Sequence, residues 1–222
     1  MSAANGKRAI LVWDAPTRLF HWLVVALVAA AYATERLNWM DLHAMAGDAV
    51  LVLVAFRLVW GFVGGETARF AGFVASPREA FRHLKKMLKR EPDLQIGHNP
   101  AGGWMVLGML ALLLGETLTG LYTLDDVAEV GPLTPYVPAR VANWIDAAHS
   151  VLWDVLLAAV ALHVLAITTY AAAKGQNLLT PMVTGRKALP AGTPSPRMAS
   201  WALAALAFCC GALIAAALIT CI

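Results

Sequence analysis

Apolar residues run almost unbroken through five stretches of the chain, approximately Pro16–Ala33, Ala44–Val63, Gly103–Leu124, Val151–Ala173 and Trp201–Cys221. A helix needs about 20 mostly apolar residues to cross the hydrocarbon core of a bilayer, and a continuous helix satisfies its own backbone polar groups there. Each stretch therefore predicts a spanning helix. The first is the weakest, because Arg18 and His21 interrupt it. Asp14 just before it and Pro16 at its start suit a helix N-terminus. Between the second and third stretches, Ser76–Arg90 places Phe81, Leu84 and Leu88 at helical spacing with basic residues on another face. Ser76 as cap and Pro77 in the first turn complete the pattern of a short amphipathic helix lying on the membrane. The linker Gly185–Arg197, with Pro190, Pro194 and Pro196, separates the fifth stretch from the other four, and no internal repeat is evident.

Composition agrees with that pattern. Hydrophobic residues make up 59% of the chain and charged residues 14%, against about 25% charged in soluble domains. Trp13, Trp22, Trp39, Trp60, Trp104, Trp144 and Trp201 cluster near the ends of the stretches, as an interfacial aromatic belt requires. The net charge of +3 does not point to nucleic acid, because the basic residues sit in loops between apolar stretches. With the N-terminus inside, fourteen of the 17 Lys and Arg fall on the inner side, within residues 7–18, 69–90 and 174–197. Only Arg36 and Arg140 fall outside, while Arg57 lies within a stretch. The positive-inside rule then expects a cytoplasmic N-terminus and, after five spans, a periplasmic C-terminus. The outer loop Asp125–Asp146 is acidic, with Asp125, Asp126, Glu129 and Asp146 against Arg140. No secretory signal pattern is evident at the N-terminus. Cys209, Cys210 and Cys221 all lie in the last apolar stretch, without the Cys-x-x-Cys-His of covalent haem attachment or any zinc spacing.

Four of the six histidines lie in or at the ends of the stretches. Polar side chains are costly in a bilayer, so a functional role is the default expectation. His149 and His163 are fourteen residues apart on one predicted helix, which returns them to within roughly 40° of the same face and separates them by about 21 Å. Each can hold one side of a haem, and each iron then needs a second axial ligand. His43, at the outer start of the second stretch, matches His149 in depth, and His21, near the inner end of the first, matches His163. Taken singly, any of these is equally readable as a histidine hydrogen-bonded within a bundle. Four ligands split between two leaflets do not form one tetrahedral zinc site. Gly47, four residues after His43, leaves room for a macrocycle to approach the helix.

Arg18 and Arg57 either snorkel to the interface or pair with a haem propionate. Glu116 and Asp154 read as helix-packing hydrogen-bonders or as part of a proton path. His83 reads as a solvent-exposed loop residue. His98 reads as the residue before a helix capped by Asn99, with contact to an inner haem edge or a partner as the alternative.

The run Trp13-Asp14-Ala15-Pro16-Thr17-Arg18-Leu19-Phe20-His21-Trp22 resembles the opening motif of the bacterial cytochrome b561 family, which includes the b-type cytochrome subunit of nickel–iron hydrogenases. Leu42-His43 through Arg57-Leu58-Val59-Trp60-Gly61, Gly97-His98-Asn99-Pro100 and Met182-Val183-Thr184-Gly185-Arg186-Lys187 are similar to its recurrent pieces. The resemblance covers about residues 10–188. It implies an all-α membrane protein whose residues 1–188 form a four-helix transmembrane bundle, with residues 189–222 as a linker and an additional C-terminal helix. It also implies two haem b groups held by His21, His43, His149 and His163, in a multi-pass protein of the bacterial inner membrane. Bis-histidine ligation fills both axial positions and favours electron transfer over oxygen chemistry. The expected partners are membrane lipid, quinone, and a periplasmic or membrane redox protein such as a cytochrome c or a dehydrogenase- or hydrogenase-type subunit. A homodimer is a further possible assembly, and nucleic acid is not expected. The alternative function is a self-contained superoxide:quinone oxidoreductase, which needs outer cations to attract an anion.

Overall fold

A computed structural model describes residues 6–85, 94–123 and 131–220. The end of the expected surface helix past Lys85, with its Lys86, Lys89 and Arg90, lies outside the described residues, as do Leu124, Asp125, Asp126, Glu129 and Cys221. The chain runs through strand β1 (Lys7–Leu11), helices α1 (Ala15–Arg36), α2 (Met40–Val63), α3 (Pro77–Lys85), α4 (Pro100–Gly120), α5 (Ala139–Lys174) and α6 (Leu179–Thr184), strand β2 (Arg186–Pro190) and helix α7 (Trp201–Thr220). Five of these, α1, α2, α4, α5 and α7, are long and apolar enough to cross a membrane. They coincide with the five apolar stretches. Several hydroxyls inside these helices bond back to the preceding turn, as Thr117 does to the Leu113 carbonyl at 2.9 Å, which spares the hydrocarbon those donors.

The largest departure from expectation is at α5, which starts at Ala139, twelve residues before Val151. Its first turns carry Arg140, Asn143 and Asp146. They are helical but polar, so hydropathy does not register them.

The described chain divides into two compact units, and each long helix contributes residues to both. The first comprises Met1–Leu19, Trp60–Leu107 and Ala161–Ala204. Here β1 and β2 pair antiparallel, Lys7 opposite Pro190 through Leu11 opposite Arg186, burying Ile10 and Leu189. Gly185 turns the chain from α6 into β2 with φ of +79°. Its carbonyl accepts from the Val12 and Trp13 amides, and a Cβ there would meet the Trp13 carbonyl at 2.9 Å, so only glycine fits. Asp14 caps α1 through the Thr17 amide (2.8 Å), and its other oxygen accepts from the buried Trp60 indole (3.2 Å). The linker after β2 is also tied down. Glu66 and Arg197 exchange two hydrogen bonds, one from each backbone amide, at 2.9 and 3.0 Å.

The second unit comprises Phe20–Val59, Gly108–Val160 and Ala205–Ile222. Its core gathers Val24, Val50, Leu53, Val54, Leu113 and Leu156 from α1, α2, α4 and α5. Helix α7 packs closely on α2. A Cβ on Gly211 would come within 2.5 Å of the Phe56 amide nitrogen, and Ala215 is fully buried against Leu51, Leu121 and Leu133. The opposite side of α7, with Leu213 71% and Leu206 60% exposed, is dressed for lipid. Small residues at a helix contact let backbones approach where water cannot drive association.

Candidate cofactor site

Within the second unit a cavity of about 510 Å³ is walled by α1, α2, α4 and α5, a size usual for cofactor sites. His43 and His149 both line it. Their ring centres are 6.4 Å apart and their planes nearly perpendicular at 84°. The Nδ1 of His43 lies 2.9 Å from the Ala31 carbonyl, and the Nδ1 of His149 lies 3.0 Å from the Glu116 carbonyl. A carbonyl can only accept, so each Nδ1 carries the proton and each Nε2 presents a lone pair. Thr119 supports the second bond. Its hydroxyl donates to the Gly115 carbonyl at 2.8 Å, leaving its oxygen 3.1 Å from the His149 Nδ1 as a further acceptor. Metal-bound histidines are oriented in this way, by a backbone carbonyl on the far nitrogen.

The distances suit one iron between two rings. An imidazole nitrogen sits about 2.0–2.1 Å from a bound transition metal, and the ring centre roughly 1.2 Å behind it, so opposed axial imidazoles have centres roughly 6–6.5 Å apart. The wall also has the bare patch a macrocycle requires: a Cβ built on Gly47 would meet nothing within 4 Å. The polar groups of the cavity are not satisfied among themselves. Glu116 Oε1 stands 3.6 Å from the His149 Nε2, beyond hydrogen-bond reach. Its Oε2 is buried with no hydrogen-bond partner among the described residues. These residues fit a haem.

Five carboxylates line the cavity, Glu35, Asp48, Glu116, Asp146 and Asp154, and Arg36 is the one cation among the described lining residues. Arg36 pairs with Glu35 at 3.3 Å and lies over the Tyr32 ring at 5.2 Å. Tyr32 in turn stacks on Trp153 at 5.4 Å. Glu116 and Asp154, expected as helix-packing or proton-path residues, both line this cavity.

His21 and His163 are half-buried, one in each unit, and His21 meets the edge of Trp22 at 4.8 Å. Neither Arg18 nor Arg57 is among the cavity's lining residues. Arg18 donates to the Val183 carbonyl at 2.7 Å, near the C-terminus of α6, and Arg57 is almost wholly buried. His98 is enclosed by aromatic rings, 4.5 Å from Trp13 and 4.7 Å from Phe73, and Asn99 caps α4 through the Gly102 amide at 2.7 Å. His83 is not the free loop residue expected. It is half-buried, with its Nε2 2.6 Å from the hydroxyl of buried Tyr170, which also accepts from the Asn99 amide at 2.7 Å. No sequence signal marked Tyr170.

The profile of the prokaryotic cytochrome b561 family matches residues 12–185. Among curated proteins, the chain is 26% identical over 141 residues to a probable Ni/Fe-hydrogenase B-type cytochrome subunit of Bradyrhizobium diazoefficiens, covering 52% of this chain and 55% of that one. A subunit of the same name from Rhizobium leguminosarum is 27% identical over 151 residues, covering 53% and 62%. The probable Ni/Fe-hydrogenase 1 B-type cytochrome subunit of Escherichia coli K12 is 22% identical over 151 residues, covering 56% and 64%. The chain thus spans less than two thirds of the length of these relatives. No solved structure matches it.

Proposed function

The chain belongs to the prokaryotic cytochrome b561 family, and on that premise we propose that it is a transmembrane diheme b-type cytochrome. In this reading it carries electrons between a periplasmic or membrane redox partner and the quinone pool of the bacterial inner membrane. The observation that carries the reading is the His43–His149 pair, with both Nδ1 atoms on backbone carbonyls and both Nε2 atoms left for metal. Bound there, haem b supplies a one-electron Fe(III)/Fe(II) couple.

The chain's own residues do the rest. His43 and His149 would hold the iron between two imidazoles, a ligation that suits electron transfer rather than oxygen binding. The Ala31 and Glu116 carbonyls hold the ring planes and strengthen the imidazoles as donors. Arg36, the cation among the described lining residues, would be the one to pair with a haem propionate. His149 and His163 both belong to helix α5, fourteen residues apart in sequence. The second haem is assigned to His21 and His163 by that spacing, with Arg18 and Arg57 as propionate partners, and the N-terminus is assigned to the cytoplasm by the positive-inside asymmetry. The relatives named as hydrogenase cytochrome subunits make a hydrogenase-type subunit the first partner to test, ahead of a cytochrome c or a homodimer.

The alternative of a superoxide:quinone oxidoreductase draws no support from the cavity, since five carboxylates around one cation repel an anion. The test is haem stoichiometry and spectrum on purified protein. Two low-spin b haems are expected, with His43→Ala and His149→Ala depleting one spectral component and His21→Ala and His163→Ala the other. Joint loss of one component from His43→Ala and His163→Ala would overturn the pairing.

A further inference from the structure

Helix α3 belongs to no part of the haem site, yet its nine residues are sorted by chemistry around the axis. Ser76 and Glu79 close its start reciprocally: the Ser76 hydroxyl donates to Glu79 Oε2 at 3.1 Å and the Glu79 amide donates to Ser76 Oγ at 3.3 Å, a capping box. At about 100° per residue, Ala80 and His83 occupy one sector, Phe81 and Leu84 the next, and Arg78, Arg82 and Lys85 the third. The first sector faces the protein, with Ala80 buried and His83 bonded to Tyr170. The other two do not: Phe81 is 60% and Leu84 50% exposed, and all three cations are exposed. The Lys85 ammonium lies 4.6 Å from the Phe81 ring centre, which keeps charge and apolar sectors contiguous. Depth comes from a separate observation. Trp104, near the start of the spanning helix α4, donates its indole N–H to the Ala75 carbonyl at 3.0 Å, and a tryptophan so placed marks the membrane–water boundary. The residue next to the α3 cap thus lies at headgroup level.

We propose that α3 is a binding site for anionic phospholipid of the adjoining leaflet. Arg78, Arg82 and Lys85 take the headgroup phosphate, Phe81 and Leu84 enter the acyl boundary, and the His83–Tyr170–Asn99 bonds pin the helix to the bundle. Apolar insertion joined to cationic attraction is what holds a helix in the interface plane, and each cation near an anionic surface contributes separately. Charge complementarity selects lipid over a protein surface, because the apolar and cationic sectors adjoin.

The full-length, haem-loaded protein is reconstituted in nanodiscs of mixed phosphatidylglycerol and phosphatidylcholine, and retained lipid is counted by mass spectrometry. R78Q/R82Q/K85Q is expected to lose the preference for phosphatidylglycerol by roughly 100-fold, the product of three single-charge contributions, with the haem spectrum unchanged. F81S/L84S is expected to weaken retention of both lipids without changing the preference. An undiminished preference in the triple variant overturns the proposal. For a triple variant that fails to fold, the wild-type preference is followed with salt. A fall between low and high ionic strength supports the site, and no change overturns it. Inorganic phosphate competing as well as the lipid, or an acidic peptide outcompeting it, also overturns the lipid assignment.

Discussion

The unit around His43 and His149 encloses a hollow, whereas the unit around His98 is filled with rings. His149 lines the cavity with its Nδ1 tied to a carbonyl and its Nε2 3.6 Å from Glu116 Oε1. His98 lies between Trp13 and Phe73, each within 5 Å of its ring centre. The two residues are alike by type but not by setting, since His149 lies ten residues inside α5 and His98 just before α4. What separates the proposed ligand from the packed histidine is which atoms the structure engages: the Nδ1 of His149 on a carbonyl, and the ring of His98 against two aromatic rings. The same contrast holds for glycines. Gly47 faces nothing within 4 Å, while Gly211 is pressed against the Phe56 backbone.

Filling the hollow gives the largest effect. Gly47→Leu is expected to abolish the outer haem, halving haem content by pyridine haemochrome, while the haem-free protein keeps or gains about 1 kcal/mol of helix stability in thermal unfolding. A variant that binds two haems would mean that the macrocycle does not lie over residue 47. In the filled unit the signs reverse. His98→Leu is expected to leave haem content at the wild-type value and to cost roughly 1–3 kcal/mol through disturbed aromatic packing, read as a lower Tm. A lost haem would move His98 from packing to ligation. Tyr170→Phe should cost about 1–2 kcal/mol, because His83 and Asn99 lose a shared buried partner, again by Tm and with both haems retained. Thr119→Val is the mildest change. The Glu116 carbonyl still orients His149, so haem retention after dialysis against apomyoglobin is expected to change less than threefold, at a cost under roughly 1 kcal/mol.

The five spans were legible because hydropathy over about 20 residues is a local signal. So was the Asn99 cap and the start of the amphipathic α3, whose patterns lie within a few residues. The likeness of residues 12–185 to one family was legible from short motifs around His21, Arg57 and Gly185. The rest was hidden for identifiable reasons. The early start of α5 at Ala139 is polar, so only helical geometry reveals it. The β1–β2 ladder joins two five-residue segments rich in Lys and Arg and far apart in the chain, where neither alternation nor propensity is strong. The acceptors that set the tautomers of His43 and His149 are backbone carbonyls of Ala31 and Glu116, and every residue has one. Side-chain identity carries no trace of them. Tyr170 sits at the end of an apolar run, and His83 and Asn99, which bond its hydroxyl, come from other parts of the chain, so nothing local marks it.

The ladder between Lys7–Leu11 and Arg186–Pro190 has a consequence for the timing of biogenesis. During synthesis at about 5–20 residues per second, β1 emerges first and waits roughly 10–35 s for its complement. Four spanning helices are made in that interval. Their insertion must proceed with the N-terminal segment still single, and the strand pairing can serve only as a clasp closed on helices already in place. Helix α7 follows β2 by only eleven residues, so it is made at about the time that the clasp's second strand becomes available.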